Sequence, residues 1–275
     1  LFIFNEINIF SKIQMSNFSS LFFFISIVFI FLIGFFDDKN DLNPNLKLVF
    51  LCLSIFIFIL TNDNFLLKEI KFISFEKIIN LNNYSYLITI LCILLFMNAF
   101  NMMDGTNSLA GLYSVIFLIY VTFFIYFNIL NIVLITFLFF YLYLNNKNLI
   151  FLGDSGSLLL SFLLSIIVIY NHNLGKIFSE EIFFLMMIPG IDMFRLFLTR
   201  ILNKKNPFIG DRNHLHHLLL NKYNNRTTVL IYNGFFITNL ILYNIIHHKI
   251  ILISCTIIFY LALINYLLSF KKNLN

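Results

Sequence analysis

Long uninterrupted apolar runs dominate this chain and leave it very few folds. A helix crossing a bilayer needs about 20 apolar residues. On that template, segments near 18–36, 46–60, 85–103, 109–127, 129–144, 156–170, 181–200, 228–246 and 250–270 qualify. Strands of a membrane barrel would alternate in polarity over about ten residues, and these runs do not. Backbone polar groups in hydrocarbon must be bonded within the protein. The prediction is therefore an all-α fold, a polytopic transmembrane helical bundle of about nine spans. Composition agrees: 60% of the 275 residues are hydrophobic and 11% charged, against about 45–50% and 25% in soluble domains. That excludes a soluble enzyme, a nucleic-acid-binding module and a disordered chain. Three cysteines, Cys52, Cys92 and Cys255, lie inside apolar runs without a CxxC pair and read as small buried hydrophobes.

Residues 1–17 read as a short N-terminal stretch of mixed polarity, and 18–275 as a single transmembrane domain. The chain begins at Leu1, with no basic region or cleavage site of a signal peptide. The expectation is a truncated N-terminus, the sequence being a piece of something longer.

Nine spans place the loops at 37–45, 104–108, 145–155 and 201–227 and the C-terminal tail on one side, and twelve of the eighteen Lys and Arg residues, Lys47 among them, are counted there. The positive-inside rule makes that side cytoplasmic. Seven of the eight Asp fall there, whereas Glu6, Glu69, Glu76, Glu180 and Glu181 fall on the other side. A carboxylate near hydrocarbon is costly and marks a functional site by default, so the cytoplasmic face is expected to handle a cation or an anion.

Four strings carry that expectation. Asp37-Asp38-Lys39-Asn40-Asp41 ends the first span in a DDxxD pattern. Adjacent carboxylates repel unless they share a proton or a cation; otherwise the string is a solvated helix end. Asn98, Asn101 and Asp104 recur every third residue, on one broad helical face, to meet a ligand or to bond neighbouring helices. Gly153-Asp154-Ser155-Gly156 opens the sixth span, where helix amides and the dipole favour anions. Finally, Asp192 and Arg195 are spaced to pair, Pro189-Gly190 should kink the seventh span, and Asp211-Arg212-Asn213-His214-Leu215-His216-His217 follows. His214, His216 and His217 could ligate a metal, but no thiolate or HExxH spacing supports zinc; beside Arg212 they suit a diphosphate better. His172, His247 and His248 read as ordinary loop residues on the outer side.

In this order, the four strings resemble the polyprenyl-phosphate N-acetylhexosamine-1-phosphate transferases, and the Asp-Arg-Asn-His-Leu-His-His form resembles the bacterial undecaprenyl-phosphate N-acetylglucosamine branch. The resemblance runs from about Phe31 to His217. It implies transfer of a sugar-1-phosphate, of the N-acetylglucosamine type, from a UDP-sugar to a polyprenyl phosphate, with release of UMP and with Mg²⁺, or Mn²⁺ in its place. It also implies roles. Asp154 would hold the metal, and Asp37 would orient or deprotonate the lipid phosphate with Asp38 in support. Asn98, Asn101, Asp104 and Asn107 would line the donor site. Asp211, Arg212, His214, His216 and His217 would close over it. The implied setting is a bacterial inner membrane with catalytic loops in the cytoplasm, a lipid bilayer and a homodimer as partners, and no nucleic acid.

Asn107 and Ser108 stand where the family commonly has Asp and Gly, and about two further spans usually precede the DDxxD string. A truncated or inactive relative is one competing expectation. An intramembrane aspartyl protease would need Gly where Phe151 stands. A transporter or lipid scramblase would show two related halves with sites at the bilayer midplane, and this sequence has neither.

Overall fold

The computed structural model describes residues 17–205 and 212–274. Ten helices and one hairpin make up the described chain: α1 Asn17–Asn40, α2 Pro44–Thr61, β1 Glu69–Phe72, β2 Lys77–Asn80, α3 Ser85–Met103, α4 Leu109–Tyr120, α5 Ile129–Asn146, α6 Gly153–Asn173, α7 Ser179–Leu202, α8 Leu215–Leu220, α9 Asn225–Ile245 and α10 Lys249–Leu274. Eight helices among the described residues are long and apolar enough to cross a membrane. The expected ninth span, 109–127, is shorter: α4 continues into a π-helical turn, Val121–Ile125, and stops. It is still the antiparallel partner of α5, because Ser108 at its start donates its N–H to Asn145 Oδ1 at 2.6 Å, at the end of α5. The loops around 104–108 and 145–150 therefore share one end of the bundle.

The stretch between α2 and α3, expected to be plain loop, contains the hairpin. Glu69, Ile70, Lys71 and Phe72 pair antiparallel with Asn80, Ile79, Ile78 and Lys77. Two short strands alone are marginal, and α7 supplies the missing support. Glu180 in its first turn accepts the N–H groups of Ile73 at 3.1 Å and Ser74 at 2.9 Å. His172, expected to be an ordinary loop residue, is instead buried, with Nδ1 at 2.9 Å from Ile177 O and Nε2 at 3.1 Å from Glu69 O.

Two apolar clusters form the interior. Ile30, Leu51, Phe58, Ile93, Met97, Leu158 and Phe162 join α1, α2, α3 and α6. Phe100, Tyr113, Phe117, Leu164, Phe184, Phe236 and Tyr260 join α3 and α6 to α4, α7, α9 and α10. Lipid tails are as apolar as a protein core, so helices in a membrane associate through small residues and close packing. Along α6, Ser161 and Ser165 return their hydroxyls to the carbonyls of Ser157 and Ser161 at 2.7 and 2.8 Å, which leaves a slim face for neighbours. Gly34 of α1 crosses there so closely that a Cβ would lie 2.4 Å from Ser155 Cα. α7 is continuous from Ser179 to Leu202 with Pro189 inside it. The cysteines depart from expectation: Cys92 and Cys255 lie on the outside of the bundle, and Cys52 is half-buried.

Candidate functional site

Four helices around the first cluster each end, on the same side, in a polar residue: Asp37 on α1, Lys47 on α2, Asn101 on α3 and Asp154 on α6. Their side chains meet. The Lys47 ammonium lies 2.5 Å from Asp37 Oδ2 and also donates to Asp154 Oδ2. Asn101 Nδ2 donates to Asp154 Oδ1 at 2.9 Å and to Ser157 Oγ at 2.8 Å. Asp37 is braced from behind by the Leu42 N–H, 2.8 Å from its Oδ1.

Asp38 does a different job. Its carboxylate accepts the N–H groups of Asp154 at 2.8 Å and Ser155 at 3.1 Å. It thus caps the start of α6 from another helix, where the dipole favours a negative charge. The close crossing at Gly34, one turn earlier, brings it within reach. Gly153 adopts φ +64°, and a Cβ there would lie 2.8 Å from Asp38 Oδ2. Both glycines are therefore required by geometry.

Beside this cluster lies a polar cleft of about 290 Å³, lined by Asp104, Asn107, Tyr141, Asn145, Phe151 and Asp154 among others. Asn107 bonds Asn148 across its rim. Burial, then the charges of Asp154 and Asp38, push the Asp104 carboxyl up to about 7. Asp37 and Asp154 thus share the Lys47 ammonium, while Asp38 is bonded to the α6 amides and Asp104 lines the cleft.

The histidine string approaches from the other cluster. His216 is buried against the Asp104-Gly105 turn; a Cβ on Gly105 would lie 2.3 Å from its Nε2, which has no hydrogen-bond partner among the described residues. Burial, then His217 and His214, lower its pKa to about 3, so it is neutral. Its ring centroid is 4.1 Å from that of His217 and 5.8 Å from that of His214. His214 is buried with Nδ1 at 2.9 Å from Asp192 Oδ2. Arg212 is exposed. Asp211 lies outside the described residues.

The structure therefore brings Asp37, Asp38, Asn101, Asp104, Asn107, Asp154 and His216 to one end of the bundle. Asn98 is turned onto its own helix, donating to Leu94 O at 3.0 Å. Sequence reasoning missed Lys47, counting it only as a loop charge. Its signal was a lone cation in the first turn of an apolar helix, where it opposes the dipole. Phe151, 71% exposed at the cleft, was also missed as a lining residue.

Known relatives bear on this arrangement. A family model described as glycosyl transferase family 4 matches residues 20–172. The undecaprenyl-phosphate alpha-N-acetylglucosaminyl 1-phosphate transferase of Escherichia coli (strain K12) is 26% identical over 204 residues, covering 68% of this chain and 54% of that protein. A probable undecaprenyl-phosphate N-acetylglucosaminyl 1-phosphate transferase of Bacillus subtilis (strain 168) is 30% identical over 201 residues, covering 70% and 55%. The chain spans about half the length of these curated relatives.

Proposed function

Because the chain belongs to glycosyl transferase family 4, we propose that it moves N-acetylglucosamine-1-phosphate from a UDP-sugar to a polyprenyl phosphate, releasing UMP, for cell-envelope polymer synthesis at a bacterial inner membrane. The observation that carries this reading is the Lys47 ammonium held between Asp37 and Asp154, the latter also lining a polar cleft. A donor diphosphate and a lipid phosphate both bring negative charge, and phosphoryl transfer is chiefly positioning and charge neutralisation.

Asp37 and Asp154 already share the Lys47 ammonium, and the further carboxylates Asp38 and Asp104 nearby favour an added cation. Among the described residues no three His, Cys, Asp or Glu side chains are grouped to hold a metal. Magnesium needs only one or two carboxylates, with waters and substrate phosphates completing its shell, and the site fits that pattern. Asp154, with Asp37 opposite, would hold Mg²⁺, and the ion would supply charge neutralisation at the diphosphate.

The chain's own residues do the rest. Lys47 attracts the acceptor phosphate, and Asp37 orients it and takes its proton. An acceptor oxygen forms a bond to the sugar-bearing phosphorus, the anhydride P–O bond breaks, and UMP leaves with the electron pair. Asn101 holds the Asp154 carboxylate in register, and Asp38 fixes the α6 amides beneath it. Asp104 and Asn107 line the nucleotide cleft, with Phe151 offering a ring face to a planar base. Arg212, His216 and His217 border the donor. The facing of this end toward the cytoplasm belongs to the same proposal and follows from where UDP-sugars are found.

The test is UMP release from UDP-N-acetylglucosamine by the detergent-solubilised protein with undecaprenyl phosphate and Mg²⁺. Release should require lipid and metal, and should fall at least about 100-fold in Asp154→Asn and Lys47→Met, a loss of roughly 2.7 kcal/mol of transition-state stabilisation. Release without lipid, or unchanged in both variants, would overturn the reading.

A further inference from the structure

A second buried ion cluster lies beyond residues 20–172. Asp192 of α7 is 5% exposed and makes contacts on three elements. Its Oδ1 accepts from Arg195 Nη2 at 2.8 Å and from the Tyr260 hydroxyl of α10 at 2.5 Å. Its Oδ2 meets His214 Nδ1 at 2.9 Å and the Leu215 N–H at 3.1 Å, at the start of α8. Arg195 closes the ring, reaching Tyr260 OH at 3.3 Å and Asn213 O at 2.6 Å. Lys271 of α10 adds a bond to Asn213 Oδ1 at 2.9 Å.

A buried carboxylate is retained only where its partners satisfy it, and here those partners tie a connecting loop to two membrane helices. The loop then runs from His214 to His216, whose ring fills the space that the missing Gly105 side chain leaves beside the cleft. We propose that Asp192, clamped by Tyr260, is a positioning residue that anchors the histidine loop against the donor cleft, so that the last helix sets donor affinity without touching substrate. The identity of the donor rests on the transferase reading; the anchor does not.

Hydrogen–deuterium exchange and steady-state kinetics on detergent-solubilised Tyr260→Phe and Asp192→Asn test this. Tyr260→Phe removes one hydroxyl and no volume, so it remains informative if Asp192→Asn fails to fold. Exchange should rise across 212–220 and stay unchanged in α3 and α6, while KM for UDP-N-acetylglucosamine rises about tenfold, the size of one net hydrogen bond, and kcat stays within about twofold. Unchanged exchange in the loop would overturn the anchor, as would loosening of every helix alike. A loosened loop with unchanged donor KM would overturn its link to the cleft. Loosening confined to the loop, in a protein whose wild type releases no UMP, would uphold the anchor and reject the transferase reading.

Discussion

Asp104 and His216 are neighbours across Gly105, and each is held in its neutral form more than solution would allow, with opposite consequences for pH dependence. His216 binds its proton at about 3 when folded and near 6.5 when unfolded. The unfolded chain takes up more protons in that window, so this group lowers stability as pH falls, by about 1.4 kcal/mol per unit and about 2 kcal/mol between pH 6.5 and 5. Asp104 is raised to about 7. The folded chain takes up more protons between about 4 and 7, so this group raises stability as pH falls and loses its contribution as pH climbs through 7. Over pH 5 to 6.5 the two slopes oppose each other. Single substitutions should separate them: His216→Asn should gain stability as pH falls, and Asp104→Asn should lose it. Thermal unfolding in detergent across this range checks both signs. Matching slopes in the two variants would show that neither group titrates as described.

At the scale of elements, the crossing of α1 over α6 connects backbone geometry to the site. Gly34 allows the backbones to touch, Asp38 then reaches the α6 amides, and Asp37 is delivered beside Lys47. Gly34→Ala places a methyl group where Ser155 backbone already lies, so the helices must part. Overpacking of this kind costs about 1–3 kcal/mol. The expected outcome is a lower unfolding temperature together with faster amide exchange at Asp154 and Ser155, whose N–H groups lose their acceptor. An unfolding temperature equal to wild type would show that the crossing tolerates a Cβ. The hairpin at the other end depends in the same way on tertiary support, because Glu180 holds its turn and His172 its first strand.

For the molecule as a whole, α3 and α6 belong to both apolar clusters and place the carboxylate site and the histidine loop at one end. The hairpin and its Glu180 support sit at the other end of α6. In a background with Cys52, Cys92 and Cys255 replaced by Ala, Ser74→Cys and Asn148→Cys should therefore react with a membrane-impermeant maleimide from opposite sides of sealed vesicles. Labelling of both from one side would refute this arrangement. The π-helical end of α4 does not disturb it, since α4 and α5 return the chain to the end it left.

Much of this was legible in the sequence. Hydropathy over about 20 residues located the membrane helices, and polar residues stranded at their ends marked Asp37, Asp104, Asp154 and the histidines, because the cost of a charge near hydrocarbon is local and needs no partner to be recognised. The partners were not legible. A Leu or Phe faces lipid as readily as a neighbouring helix, so the apolar pattern cannot say which faces meet. Only the tertiary structure places Lys47 between two carboxylates, spends Asp38 on the amides of another helix and turns Asn98 back on its own. The same holds for Tyr260, whose hydroxyl lies 68 positions in sequence from the Asp192 carboxylate it meets. That contact is decided by how α7 and α10 cross, which no local stretch of sequence encodes.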